Sequence, residues 1–234
     1  MCFASILGLK TPDTVQYNIM TTTETLLAKY APLYRKTTQH QLTNELCQGT
    51  LSDRSLYIYL AQDLNFFETS LRLICKATSL APESDSLLTL AKKIGFFAND
   101  ENTYFRDCLK ELEPSIPSSD ERQSFLTKLL PGVDKYIEFI NDSVADKTMT
   151  YAEYITIIWS CEQIYLSWAH DSPKKDNLHW KHQTWIDLHD GEHFISWCKF
   201  LEDEVNKFPV EQVERQFSTV LQHEFNFFDS CYKA

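Results

Sequence analysis

Residues 51–80, LSDRSLYIYLAQDLNFFETSLRLICKATSL, decide the fold class. Apolar side chains recur there at every third or fourth position, which is the spacing of one face of an α-helix: Leu56, Leu60, Phe67 and Leu71. Asp63 falls on the same face and interrupts it. Thr50 and Asp53 resemble a capping box before this helix, and Pro82 ends it. The segment is therefore predicted to be a long amphipathic helix with one acid in its apolar face.

The same helical period continues through the rest of the chain, and strand-type alternation is nearly absent. We therefore predict an all-α fold, a multi-helix bundle. The predicted helices cover 23–47, 51–80, 84–112 with a bend or break at Gly95 and 99–101, 118–130, 131–144, 151–170, 178–188, 191–208 and 209–232. Residues 1–20 are predicted to be a flexible tail. Residues 21–234 are predicted to form a single helical domain, because no Gly-, Ser- or Pro-rich linker divides them.

Charge and cysteine content exclude several classes of function. The formal net charge is −11, whereas nucleic acids and anionic membrane surfaces require clustered Lys and Arg. The seven cysteines contain no CxxC pair, which favours free thiols in the cytoplasm. The apolar run at 3–9 is too short to span a bilayer and lacks the positive start of a signal peptide. We expect a cytoplasmic protein that binds neither nucleic acid nor membrane.

Two further helices also carry polar groups on apolar faces. Glu224 interrupts the stripe of the last predicted helix, and Cys161 with the adjacent Glu162 lies on the stripe of the helix that begins at residue 151. Three helices thus each bring an acid or a thiol toward an aromatic interior, as a small-molecule pocket requires. A desolvated carboxyl suits a general acid because its pKa rises. The alternative is that Asp63 and Glu224 form structural pairs and that Cys161 is a small core residue.

No metal and no cofactor are expected. His189 and His193 are four residues apart and could share a metal ion, but the sequence offers no obvious third ligand. Glycine-rich phosphate loops are absent as well. We therefore predict that His189 is a pocket or surface residue.

Four segments of the chain resemble one known family. Gln62-Asp63 followed by Phe66-Phe67 resembles the Gln-Asp-x-x-aromatic motif of the TenA (thiaminase II) family. Three segments are similar to that family's central and C-terminal signatures: Glu162–Tyr165 with Trp168, Trp185 with Phe194, and Glu224 with Phe227 and Phe228. These anchors occur in the family's order, and the resemblance runs from about residue 23 to the C-terminus.

The resemblance implies a haem-oxygenase-like bundle that forms a homo-oligomer, a dimer or a tetramer. It implies a small-molecule aminopyrimidine as ligand and an aminopyrimidine hydrolase of thiamine salvage. Such an enzyme releases 4-amino-5-hydroxymethyl-2-methylpyrimidine from aminomethyl- or formylaminomethyl-pyrimidine, or from thiamine. By the same resemblance, Asp63 holds the amino group and a ring nitrogen, Phe66 stacks on the ring, and Glu224 protonates the leaving group. The resemblance places the other substrate-binding residues at Tyr136, Tyr165, His189 and Phe227.

The chain departs from the family pattern at the nucleophile. In the cysteine branch of the family a proline precedes the nucleophile, and Ser160 replaces it before Cys161. In the glutamate branch, found in fungi, a glutamate lies three residues before the tyrosine, and Glu162 has that spacing. The sequence leaves both candidates open. Phe66 and His189 stand where the cysteine branch has tyrosines, which favours the glutamate branch and also the alternative of a non-catalytic pyrimidine-binding or regulatory protein of thiamine metabolism.

Overall fold

The computed structural model describes residues 20–97 and 102–234, and these residues form an all-helical bundle. The α-helices are α1 Thr22–Lys29, α2 Ala31–Thr38, α3 Gln41–Gln48, α4 Asp53–Leu80, α5 Ser84–Phe96, α6 Asn102–Leu112, α7 Ser119–Thr127, α8 Pro131–Ala145, α9 Tyr151–Asp171, α10 Trp180–Asp190, α11 Glu192–Val205 and α12 Val210–Lys233. A 3-10 turn, Glu113–Ser115, follows α6. The predicted all-α fold is confirmed. Apart from Met20, the predicted N-terminal tail lies outside the described residues.

One of the long predicted helices is wrong because it is divided. Residues 23–47 were expected to form one helix, but they fall into α1, α2 and α3. Pro32 lies in the first turn of α2, where its missing N–H costs no helical hydrogen bond, and the His40 ring accepts a hydrogen bond from the Leu42 amide at the start of α3. Residues 84–112 form two helices, α5 and α6, on either side of the predicted break. Residues 99–101 themselves lie outside the described residues.

The start of α4 also differs from the prediction. Ser52, not Thr50, is the N-cap, and its hydroxyl accepts a hydrogen bond from the Ser55 amide at 3.0 Å. Thr50 instead belongs to the end of α3, where Gly49 adopts the left-handed conformation at φ 64° and the Thr50 amide donates to the Glu45 carbonyl. The predicted capping box of α9 is confirmed, with Thr150 and Glu153 bonded reciprocally.

Helix α9 is the central element of the bundle. It is buried on most of its circumference and contacts α4, α10, α11 and α12. Trp159 stacks on Phe217 of α12 at a centroid distance of 5.3 Å. On the other side, α4 packs against α8 and α9. The polar residues on the apolar faces of α4, α9 and α12 therefore point toward the same part of the interior.

Helices α8 and α12 approach each other closely near the start of α8. The Gly132 amide donates to the Ser230 hydroxyl at 3.2 Å, and a Cβ at this glycine would collide with the backbone of α12. This close contact brings Tyr136, one turn further along α8, next to Glu224 on α12. Within the described residues, no helix combines the length and the apolar character that crossing a bilayer requires.

Candidate active site

A cavity opens between α4, α8, α9 and α10, with an empty volume of about 650 Å³ that includes its mouth. The wall is mainly aromatic and aliphatic, and it carries two carboxylates and one thiol. The combination is suited to binding a flat heterocycle and fixing it with a few polar contacts.

The structure brings most of the predicted site residues to this wall: Asp63, Phe66, Tyr136, Cys161, Glu162, Tyr165 and His189. Two of them lie one layer further out. Phe227 packs edge-on against Phe66 at 5.9 Å, and Glu224 lies behind Tyr136. The prediction that Glu224 itself points into the cavity is therefore only partly met. Glu224 is not part of the wall, and it contacts the wall through the Tyr136 hydroxyl.

Asp63 lies at the end of a chain of hydrogen bonds. The Tyr165 hydroxyl donates to Asp63 Oδ1 at 3.5 Å, and the Tyr59 hydroxyl donates to Tyr165 at 3.2 Å. The indole N–H of Trp185 donates to the Tyr59 oxygen, also at 3.2 Å. The carboxylate thus accepts a hydrogen bond from Tyr165 of α9, and Tyr59 of α4 bonds Tyr165 in turn. The structural alternative, in which Asp63 pairs with a lysine, arginine or tyrosine, is compatible with this tyrosine contact.

Glu224 is 1% exposed, and its Oε1 accepts a hydrogen bond from the Tyr136 hydroxyl at 2.9 Å. Burial raises the pKa of this carboxyl to about 7, although its contacts with Cys161 and Tyr136 favour the charged form. The charge of Glu162 raises the pKa further. A carboxyl of this kind holds a proton at neutral pH for an appreciable fraction of the time, which general acid catalysis requires.

The thiol of Cys161 lies among carboxylates. Burial raises the pKa of this thiol well above its ordinary value, and the charges of Glu224, Glu162 and Asp63 add to the effect. Ser160, which replaces the proline of the cysteine branch, points its hydroxyl back to the Thr156 carbonyl at 2.6 Å. Because the thiolate is the nucleophilic form, this environment disfavours nucleophilic attack by Cys161.

Glu162 lines the same cavity from the next position of α9. The Glu162 side chain is partly exposed and lines the cavity. Burial raises the pKa of its carboxyl. Lys93 of α5 counteracts this effect. The Lys93 ammonium lies over the rings of Phe97, at 4.4 Å, and Trp197, at 5.3 Å. The Lys93 charge therefore favours the ionised form of Glu162.

His189 is a neutral member of the wall. Its Nδ1 lies 2.8 Å from the Trp185 carbonyl, and burial lowers the pKa of the ring to about 3. His193 belongs to the next helix beyond Gly191 and is exposed, so the two histidines do not face one ion. Among the described residues, no group of three or more His, Cys, Asp or Glu side chains is placed to hold a metal.

Two polar groups around the cavity, Tyr59 and Lys93, were not predicted from the sequence, and Trp185 was identified only as part of a family-like segment. Tyr59 lies one helical turn before Asp63, a spacing that could have identified it, whereas Trp185 and Lys93 depend on how distant helices pack. Gln62, part of the family-like motif, serves the scaffold. Its amide nitrogen donates to the Phe125 carbonyl at 2.6 Å, and its oxygen accepts the Leu130 amide at 2.8 Å, which fixes the connection between α7 and α8.

Known proteins share the sequence pattern and the fold of this chain. The sequence model of the TENA/THI-4/PQQC family matches residues 27–234. No curated protein is similar enough in sequence for a significant match.

Three solved structures share the fold. A TenA homologue from P. horikoshii OT3 has a TM-score of 0.74 at 18% identity over 92% of this chain and 99% of its own. A TenA family transcription regulator from Silicibacter sp. TM1040 has a TM-score of 0.74 at 17% identity over 91% and 97%. A protein of Sulfolobus solfataricus P2, described as a candidate TenA-like thiaminase, has a TM-score of 0.71 at 17% identity over 92% and 97%.

Proposed function

Because the chain belongs to the TENA/THI-4/PQQC family, we propose that it is an aminopyrimidine hydrolase of thiamine salvage. The substrate would be aminomethyl- or formylaminomethyl-pyrimidine, or thiamine. The single observation that supports this reaction best is a pair of buried acids at one aromatic cavity: Asp63 of α4 lies on its wall, and Glu224 of α12 lies behind Tyr136. The description of the S. solfataricus protein as a candidate thiaminase is consistent with this proposal.

The reaction replaces the C–N bond at the exocyclic methylene by a C–O bond to water. The pyrimidine lies against Phe66, and its amino group donates to Asp63. Glu162 accepts one proton from the attacking water. With aminomethyl-pyrimidine, protonated Glu224 donates to the Tyr136 oxygen, the reverse of the hydrogen bond in the structure, and Tyr136 passes its own proton to the leaving amine. The thiazole of thiamine leaves as a neutral base and needs no such proton. Water thus contributes its hydroxyl to the carbon, and the amine leaves with the added proton.

We assign the base to Glu162 and not the nucleophile to Cys161. Three carboxylates surround the thiol and disfavour its ionised form, whereas Lys93 stabilises the ionised form of Glu162. This choice corresponds to the glutamate branch of the family.

The test is release of 4-amino-5-hydroxymethyl-2-methylpyrimidine from each of the three substrates. Glu224→Gln is expected to lower kcat by about 10²- to 10⁴-fold, the usual contribution of a positioned acid. Glu204→Gln is the matched control, because Glu204 is a buried acid that bonds Ser86 and Tyr151 outside the cavity. Glu162→Gln should abolish turnover while Cys161→Ala retains it. The reverse result would show that the thiol is the nucleophile.

A second candidate function is pyrimidine binding without turnover, as in a regulatory protein. Two observations favour it: Phe66 and His189 line the cavity without the hydroxyls of the cysteine branch, and Cys161 is held as a thiol. Tight binding of the hydroxymethyl product together with no release from any of the three substrates would establish this candidate and refute the hydrolase.

A further inference from the structure

Three buried side chains form a one-directional series of hydrogen bonds that ends on Asp63. Trp185 donates to Tyr59, Tyr59 donates to Tyr165, and Tyr165 donates to Asp63, over 3.2, 3.2 and 3.5 Å. Tyr59 is 0% exposed and Trp185 is 1% exposed. Trp185 is held in place by a stacked contact with Tyr104 at 5.0 Å. We call these three residues, Trp185, Tyr59 and Tyr165, the donor relay.

The direction of the donor relay follows from the chemistry of its first member. An indole N–H can donate a hydrogen bond but cannot accept one in its plane. The Tyr59 oxygen must therefore accept from Trp185, which leaves the Tyr59 proton for Tyr165. The Tyr165 oxygen is then an acceptor toward Tyr59, and its own proton points to Asp63. Because these groups are buried, bulk water does not compete for their protons.

We propose that Tyr59 is a positioning and specificity-determining residue, which acts through Tyr165 to make the Asp63 end of the cavity select amino-substituted over oxo-substituted heterocycles. The inference rests on the proposed function only for the class of ligand. Tyr59 does not line the cavity, so any effect on the ligand must pass through its neighbours.

The selectivity arises from which groups can still donate. With the Tyr165 proton directed to Asp63, the tyrosine and the carboxylate both present acceptor character to a ligand, and an amino group satisfies them. An oxo group would place its lone pairs against the carboxylate. Without the Tyr59 proton, the Tyr165 hydroxyl is free to turn and to donate to an oxo group. A buried site discriminates between the amino and the oxo ligand because a mismatched polar group there lowers the affinity for the wrong ligand.

The experiment measures the affinities of 4-amino-5-hydroxymethyl-2-methylpyrimidine and of its 4-oxo analogue by titration calorimetry. Tyr59→Phe is expected to lower the affinity for the amino ligand about fivefold, the equivalent of one net hydrogen bond. The affinity for the oxo ligand should fall by less than about twofold or rise. Tyr57→Phe is the matched control, because Tyr57 is a buried tyrosine of the same helix outside the cavity. It should leave the ratio of the two affinities unchanged.

A double-mutant cycle tests the route through Tyr165. If Tyr59 acts through Tyr165, Tyr165→Phe alone lowers the ratio of the affinity for the amino ligand to that for the oxo ligand. Adding Tyr59→Phe to it then changes this ratio no further. Additive losses in the double variant overturn the proposal, as does an equal loss for both ligands in Tyr59→Phe. If Tyr59→Phe does not fold, Trp185→Phe, which removes the N–H that orients the Tyr59 hydroxyl, takes its place in the cycle with the same expectation. Binding without turnover by the wild-type protein would refute the hydrolase but leave the donor relay intact.

Discussion

The buried carboxyl of Glu224 gives the protein a stability that falls as the pH rises toward neutrality. Burial raises the pKa of this group from an ordinary value of 4.5 to about 7 in the folded protein. Between these two values the folded protein holds a proton that the unfolded chain has released. Stability therefore decreases with increasing pH across that window, because the slope of the unfolding free energy follows the difference in bound protons, unfolded minus folded.

The magnitude follows from the size of the shift. A change of one pKa unit corresponds to about 1.4 kcal/mol, so the full shift of Glu224 is equivalent to about 3 kcal/mol. Between pH 5 and pH 8 most of this difference, about 2 to 3 kcal/mol, is lost on ionisation. Glu224→Gln keeps an acceptor for the Tyr136 hydroxyl but cannot ionise, so this contribution to the pH dependence is absent from the variant.

The measurement is the free energy of unfolding in urea at pH 5, 6, 7 and 8 for both proteins. The stability of Glu224→Gln relative to wild type should rise by about 2 to 3 kcal/mol from pH 5 to pH 8. Burial lowers the pKa values of His182 and His189 to about 4 and about 3, so these residues make stability rise with pH. They do so equally in both proteins, and their effect cancels when the two unfolding free energies are subtracted. Parallel pH profiles for the two proteins would show that Glu224 is ionised throughout, and its role as an acid would fail.

Two further predictions concern other parts of the chain. Lys93→Met should raise the pKa of Glu162 and move the acidic limb of the pH profile of kcat to higher pH. Lys92→Met removes the same charge at an exposed neighbouring position and should leave the profile unchanged. Equal shifts in both variants would contradict the assignment of Glu162 as the base. Gly132→Ala should destabilise the protein by about 1 to 3 kcal/mol in urea unfolding, because a Cβ there collides with α12. Gly95→Ala, where a Cβ meets nothing within 4 Å, should be neutral or stabilising, and a loss of similar size there would contradict the packing argument.

The positions of the acids were predictable because a helical period fixes which residues share a face. Asp63 interrupts the stripe of α4 and Cys161 lies on that of α9, and both line the cavity. Glu224 was placed on the right helix face, but its depth was not predictable. Whether a side chain reaches a cavity or stops one layer behind it depends on how closely two helices approach, and Gly132 sets that distance between α8 and α12.

Local hydrogen bonding explains what the period could not predict. The division of residues 23–47 depends on Pro32 and on the ring of His40, which accepts a backbone N–H as a helix cap. Propensity alone gives histidine no such role. Gln62 belongs to a motif that suggests ligand contact, yet its amide is fully used by carbonyl and amide groups around α7 and α8. Tyr59 and Trp185 become part of the site only through contacts across more than a hundred residues of sequence.

The charges around Cys161 favour one kind of chemistry in the cavity. Asp63, Glu162 and Glu224 all act on this thiol, and each makes a further negative charge there more costly. A thiolate nucleophile or an anionic ligand would add such a charge, whereas a neutral water and a ligand with N–H donors would not. The proposed hydrolysis by water, with a proton supplied by the Glu224 carboxyl, whose pKa burial raises to about 7, adds no negative charge beside the thiol.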